Sequence, residues 1–253
     1  MIKINYAPNL HAMNTSLGNR LFQYCMGRIL AEKYGRALMC GPIPGFNVDT
    51  FISGDMVWGE DYHYLSGHIL NENELPLKPW MIDGYFQRYE YYRPHKYTIK
   101  NVWLKNRLLV MPDYRVCNIH LRLGDYVDLE QTLPIDYYLR CVDAANKIKI
   151  VNIITDQPEH EFAIQLAKEI ETRKNIDGVG LLCHRGLPLE DFLAIQGAGT
   201  IILSQSTFGW WAAWLSDAAR IFFPQSKCGY WSVDRPDIDL WVDDEERYIK
   251  VNV

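Results

Sequence analysis

The chain has 253 residues, 48% of them apolar and 13% aromatic, which is enough to bury a sizeable core and too apolar for a disordered chain. A formal charge of −5, with both signs mixed along the sequence, excludes the clustered basic face of a general nucleic-acid binder. No stretch approaches the roughly 20 uninterrupted apolar residues of a membrane span, and the N-terminal residues lack the apolar core of a signal peptide. A cytoplasmic protein without an integral membrane segment is the expectation, with peripheral membrane contact left open. The six cysteines, Cys25, Cys40, Cys117, Cys141, Cys183 and Cys228, sit singly with no C-x-x-C pair, and read as thiols in a reducing compartment.

In chain order, Leu21, Phe22, Cys25 and Ile29 form a helical stripe that Gly35 can cap, and Ala37–Cys40 reads as the strand after it. Residues 42–80 are rich in Pro, Gly, Asn and Tyr and fit no regular pattern. Trp80–Phe86 reads as a further strand, and Tyr89–Tyr92 as a short helix stopped by Pro94. A boundary is expected near 105–114, where Pro112-Asp113 interrupts the pattern, giving an N-terminal lobe over 1–110 and a C-terminal lobe over 111–253. From there β-branched runs alternate with helical ones. Strands are expected over Val116–Leu121, Ile150–Thr155, Val179–Cys183, Thr200–Leu203 and Arg220–Phe223. Helices are expected over Ile135–Lys147, Glu159–Arg173, Leu189–Gly197 and Phe208–Asp217. Four crossovers joining five parallel strands make a doubly wound half.

Chemistry-bearing residues fall where these strands end. His120, Arg122 and Asp125 follow the run Val116–Ile119 across Gly124, and Asp156 follows Ile153-Ile154-Thr155. Such junctions are where open α/β sheets hold ligands. Singly, each residue has a plain structural reading: a satisfied core histidine, a surface ion pair, a helix cap. Together, His120 and Asp156 can read the polar edge of a base, and Arg122 suits a diphosphate whose charge grows as a bond to it breaks. Ser206 or Thr207 can cap the helix that begins about Phe208, whose free N–H groups favour phosphate. Gly18-Asn19 opens the first helix, where backbone can approach a ligand closely.

Asp125 is the carboxylate nearest Arg122 and a candidate general base, with pairing to Arg122 or Arg20 as the competing role. Asp237-Ile238-Asp239 spells D-x-D inside an acidic tract and reads as a solvated loop, so no metal site is expected. Phosphate-loop, dinucleotide and nucleophile-elbow motifs are absent from the sequence.

These blocks resemble the alpha-1,2-fucosyltransferase family, with its L-G-N-Q-x-F-Q-Y-A start, central H-x-R-R-G-D-Y and late S-T-F-S-W-W. Here they stand as Leu17-Gly18-Asn19-Arg20-Leu21-Phe22-Gln23-Tyr24, His120-Leu121-Arg122-Leu123-Gly124-Asp125-Tyr126 and Ser206-Thr207-Phe208-Gly209-Trp210-Trp211. Asp83–Gln87 is similar to the family's D-G-Y-x-Q, Pro134–Tyr138 to its L-x-D-Y-Y, and Ile154-Thr155-Asp156 to its S-D-D. Departures fall at Thr15-Ser16, Arg20, Leu123, Gln157 and Gly209.

The resemblance implies an α/β, GT-B-like fold of two Rossmann-like lobes with the ligand cleft between them. It also implies an inverting transfer of L-fucose from GDP-fucose to a glycan hydroxyl, such as the 2-OH of a galactose-type residue, with no metal or other cofactor. It places Arg122 on the β-phosphate, His120 and Asp156 on the guanine, and Ser206, Thr207 and Phe208 by the pyrophosphate. Asn19 faces the sugar from the other lobe, which is the acceptor side. Two alternatives stay open: transfer of another GDP-deoxyhexose, and a non-catalytic GDP-sugar or glycan-binding protein.

Overall fold

The computed structural model describes residues 1–4, 17–56, 59, 61–104, 110–183, 188–227, 229, 231–232 and 234–253. Thr15, Ser16, Cys228 and the 105–109 part of the expected boundary lie outside them. The chain is α/β and divides into two compact units, Met1–Leu108 with Asp237–Leu240, and Leu109–Pro236 with Trp241–Val253. Each unit carries its own sheet.

In the first unit the strands are β1 (Ile2–Ile4), β2 (Leu38–Met39), β3 (Phe51–Ile52), β4 (His63–Leu65) and β5 (Trp80–Ile82), in the spatial order β3-β2-β1-β5-β4. All neighbours are parallel except β2 and β3. Helix α1 (Leu17–Tyr34) lies directly on this sheet. A Cβ on Gly27 would stand 2.9 Å from Cδ1 of Ile4 and 3.1 Å from Cδ1 of Leu38, so a larger residue there would push these side chains aside. Gly35 ends the helix at φ +62°, the left-handed cap its position predicts. The strands β3 and β4 fall in the irregular 42–80 stretch, too short to show a period.

The next α-helix ends at Tyr92, as the sequence predicts, but Pro94 does not end the helical stretch. After α2 (Tyr89–Tyr92), Pro94 enters a 3-10 turn at its first positions, where the missing N–H costs no bond, and α3 (Lys96–Thr98) with a π-helical end at Ile99–Trp103 follows. Asp237-Ile238-Asp239 is a loop with Asp239 exposed, as expected, but its backbone and Ile238 are engaged with the fold. Asp239 donates its N–H to Gln87 O at 3.0 Å and accepts from Tyr89 N–H at 2.6 Å, while Ile238 and Leu240 are buried. The apolar side chains between the acids draw the segment onto the first unit.

The second unit runs β6 (Asp113–Leu121), α4 (Gly124–Asp128), α5 (Ile135–Ala144), β7 (Ile150–Thr155), α6 (Glu161–Glu171), β8 (Gly178–Leu182), α7 (Pro188–Gln196), β9 (Ala198–Ile202), α8 (Thr207–Leu215), β10 (Arg220–Gln225) and β11 (Tyr248–Asn252). The sheet order is β11-β10-β9-β6-β7-β8, every pair parallel. The sixth strand, β11, goes beyond the five that the sequence predicts. It is reached from β10 without a helix and shows solvent much of its surface, so no buried apolar run announces it.

The chain moves outward from β6 through β7 to β8, then crosses back to β9 on the other side of β6. The carboxyl ends of β6 and β9 therefore flank a topological switch point, the place where such sheets bind ligands. One face of the sheet packs Cys117, Ile119 and Leu121 against Tyr137 and Cys141 of α5 and Ala163, Leu166 and Ile170 of α6. Helix α8 is buried from Gly209 to Leu215, with Trp210, Trp211 and Trp214 each 0% exposed, so these tryptophans belong to the core. Among the described residues Cys25, Cys40, Cys117, Cys141 and Cys183 are free thiols, and no helix is long and apolar enough to cross a membrane.

Candidate active site

Strand alternation sorts the end of β6. Ile119 and Leu121 enter the core under α5 and α6, and the residues between them turn to the opposite face. There Asn118 donates to Ala194 O of α7 at 2.6 Å. Nδ1 of His120 lies 3.0 Å from Oγ of Ser204, just past β9, and Ser204 N–H donates to His120 O at 3.2 Å. The imidazole also lies 5.7 Å, centroid to centroid, from the Phe208 ring in the first turn of α8. Burial first, and the Arg122 charge second, push this imidazole down to about 3, so at neutral pH it is uncharged. His120 thus pins the two strand ends at the switch point to each other and to the start of α8.

Two residues on, the guanidinium of Arg122 reaches two carboxylates. Nη1 donates to Asp156 Oδ2 at 2.6 Å and Nη2 to Asp125 Oδ1 at 2.6 Å. Asp156 has both oxygens engaged, because Oδ1 also accepts Leu123 N–H at 3.2 Å. Asp125 is the more open of the two, its side chain 59% exposed against 33% for Asp156. Gly124 makes this packing possible twice over. It adopts φ +30°, and a Cβ there would stand 2.5 Å from Asp156 Oδ2. The sequence reading paired His120 with Asp156 at a base edge. They do stand at the ends of adjacent strands, but Asp156 is committed to Arg122 and Leu123, and His120 to Ser204.

Tyr126 couples this turn to the next. Arg122 lies over its ring at 5.7 Å, and its hydroxyl donates to Gln205 O at 2.7 Å, immediately before Ser206. Ser206 occupies the N-cap position of α8 but makes no side-chain cap bond. The expected serine cap is therefore not formed, and the first-turn N–H groups of Thr207, Phe208 and Gly209 precede the first i−4 bond, which Trp210 N–H makes to Ser206 O. A cavity of about 660 Å³ opens at the same sheet edge, with Thr132, Gln205, Gln225, Lys227 and Asn252 among its lining. The second unit thus brings together His120, Arg122, Asp125, Asp156, Ser206, Thr207 and Phe208. Ser204, Tyr126 and Gln205, which tie the cluster together, carry no chemical signature of their own in the sequence. Among the described residues no three His, Cys, Asp or Glu side chains are grouped to hold a metal ion.

Asn19 belongs to the first unit, in the first turn of α1. It accepts from Nε2 of Gln87 at 2.9 Å. Gln87 N–H in turn donates to Nδ1 of His68 at 3.2 Å. The turn that presents Gln87 follows β5 and is strained. Phe86, 1% exposed, sits at φ +49°, a conformation that costs a non-glycine residue on the order of 1–3 kcal/mol. The surroundings hold it there, since Phe86 N–H donates to Gly67 O at 3.1 Å and Phe86 O accepts the Tyr92 hydroxyl at 2.8 Å. A Cβ on Gly84 would stand 2.4 Å from Gly67 O, so only glycine allows the two loops to touch.

The sequence profile of Glycosyl transferase family 11 matches residues 54–225, more than half of the chain. Comparison with curated proteins and with solved structures gave no match.

Proposed function

We propose, for a chain that belongs to glycosyl transferase family 11, a fucosyltransferase family, and is therefore a glycosyltransferase, that it moves L-fucose from GDP-fucose to a glycan hydroxyl with inversion and without a metal ion. The observation that carries this reading is Arg122. Its guanidinium is fixed by two carboxylates at 2.6 Å beside a switch point, next to the start of α8, where Ser206 makes no side-chain cap bond.

In the reaction the bond from the anomeric carbon to the β-phosphate oxygen breaks and its electron pair passes to the diphosphate. The acceptor oxygen bonds to that carbon from the opposite face. Arg122 and the α8 N–H groups stabilise the growing negative charge, which is where a preorganised cation lowers the barrier most. Neutral His120 holds the α8 start in place and is a partner for the base. The acceptor proton passes to Asp125, whose Oδ2 has no hydrogen-bond partner among the described residues and whose side chain is largely exposed. Asp156, with both oxygens engaged, keeps Arg122 in position.

On this reading the second unit binds the donor and the first the acceptor, with the 2-OH of a galactose-type residue as the acceptor group. The free thiols favour a reducing, cytoplasmic setting. The test is to incubate the protein with GDP-fucose, GDP-mannose and other GDP-deoxyhexoses, and with galactose-terminated oligosaccharides, then measure GDP release and determine the product linkage by NMR. A 1,2-linked fucoside with inverted anomeric configuration is expected. Preference for another GDP-sugar would overturn the donor assignment, and another linkage the acceptor assignment.

A further inference from the structure

In the first sheet, ordered β3-β2-β1-β5-β4, the carboxyl ends of β1 and β5 lie side by side, because β5 enters between β4 and β1 as a parallel strand. The turn Asp83–Gln87 stands at that edge. Of its residues, Phe86 and Gln87 are buried, but Tyr85 between Gly84 and Phe86 is 37% exposed. The Tyr85 ring lies 6.3 Å from the His68 ring, centroid to centroid, at an interplanar angle of 53°. Gln87, 6% exposed, spends Nε2 on Asn19, and its Oε1 has no hydrogen-bond partner among the described residues. Gln87 N–H donates to Nδ1 of His68 at 3.2 Å, which holds the turn and the Tyr85 ring beside that imidazole.

We propose that Tyr85 and Gln87 form a subsite for one uncharged hexopyranose of the acceptor glycan. The chemistry fits that class of ligand. Tyr85 offers an aromatic face to the apolar C–H face of a pyranose, while the Gln87 side-chain carbonyl accepts from one of its hydroxyls. Neither side chain carries a formal charge, which favours a neutral sugar over a phosphate or a sialic acid. The strain at Phe86 has a purpose on this reading: it fixes the turn so that Gln87 and the exposed Tyr85 are presented together. The subsite deepens the transferase reading above and rests on it for the word acceptor, but the binding of a glycoside stands by itself.

The experiment is saturation-transfer NMR on the full chain with the methyl glycosides of galactose, glucose and fucose, with GDP binding followed separately by calorimetry. Tyr85→Ala, an exposed position that folding tolerates, and Gln87→Leu should each weaken glycoside binding about tenfold or more, while Tyr85→Phe retains it. GDP affinity should stay within about twofold in all three variants, and their melting curves should match that of the wild-type chain, which shows that each remains folded. The proposal is overturned if none of the methyl glycosides binds the wild-type chain, or if Tyr85→Ala binds them as wild type does. Glycoside binding that is lost in Tyr85→Ala, alongside a wild-type chain that does not bind GDP, would leave the subsite standing and remove the donor assignment instead.

Discussion

A Cβ on Gly209 would stand 2.6 Å from Nδ1 of His120, so the end of β6 and the first turn of α8 meet through a glycine. The resembling family pattern carries serine at that position. In this chain the closeness lets the buried imidazole sit against the helix start while still bonding Ser204. Gly209→Ser should therefore force the ring away, at a cost typical of overpacking, about 1–3 kcal/mol. Thermal unfolding and GDP titration should show lower stability and weaker binding. In the double variant with His120→Ala the losses should be clearly less than additive, because the second change removes the atoms the first collides with. Additive losses would mean that the two residues do not act on each other.

Arg122→Lys should cripple turnover and spare the fold. A single ammonium cannot replace a fork that meets Asp125 and Asp156 at 2.6 Å each and, in the proposed mechanism, a diphosphate as well. Losing one such charge-assisted contact in the transition state costs about 3–4 kcal/mol, or roughly a hundred- to a thousandfold in rate. Initial rates and melting curves measured side by side check it. A kcat within a few-fold of wild type would take Arg122 out of the chemistry.

The two carboxylates around Arg122 should separate in a substitution pair. Asp125→Asn keeps a polar group beside the guanidinium and removes the exposed proton acceptor, so transfer should vanish while GDP still binds. Asp156→Asn disturbs both the arginine and the Leu123 N–H that fixes the turn, so GDP affinity and the melting temperature should fall together. If Asp125→Asn lowers GDP affinity in step with transfer, Asp125 is a positioning residue and the proton leaves by another route.

Much of the second sheet was legible because buried parallel strands read as continuous β-branched runs, as Ile150–Thr155 does to the residue. The residues at its carboxyl edge, His120, Arg122 and Asp156, were legible for the same reason: once the strands are placed, their ends follow. What one strand end does with another was not legible. Arg122 and Asp156 lie 34 residues apart, and His120 and Ser204 lie 84 apart, and no local period reports a pairing across such gaps. Pro94 was legible in part: the α-helix ends at Tyr92 as expected, but the proline sits in the first positions of a 3-10 turn, where it is tolerated, and so carries the chain on. The buried Ile238 and Leu240 were hidden among acids whose charge dominated the reading of that tract.

Turnover should survive chelation. In the proposed mechanism the charge that leaves with the diphosphate is met by Arg122 and by the start of α8, so EDTA treatment followed by exchange into metal-free buffer should leave the rate within about twofold of the untreated protein. A rate that vanishes and returns only with magnesium or manganese would show that a cation shares the work.

Acid should weaken the fold through His120 in a defined window. The imidazole has an ordinary value of 6.5 when unfolded and about 3 in the folded chain, lowered by burial first and by Arg122 second. Between those values the unfolded chain binds a proton that the folded chain refuses, so the stabilisation is fully present above 6.5 and is lost as pH falls toward 3. The slope of this single contribution approaches about 1.4 kcal/mol per pH unit. Carboxylates titrate in the same range, and a comparison isolates the histidine: urea unfolding of wild type and of His120→Gln at a series of pH values below 7. The variant has no imidazole to protonate, so the stability difference between the two proteins should shrink steadily as the pH drops. Parallel curves through that window would mean that the ring takes up its proton in the folded chain as readily as outside it, and that neither its burial nor the nearby Arg122 charge keeps it neutral.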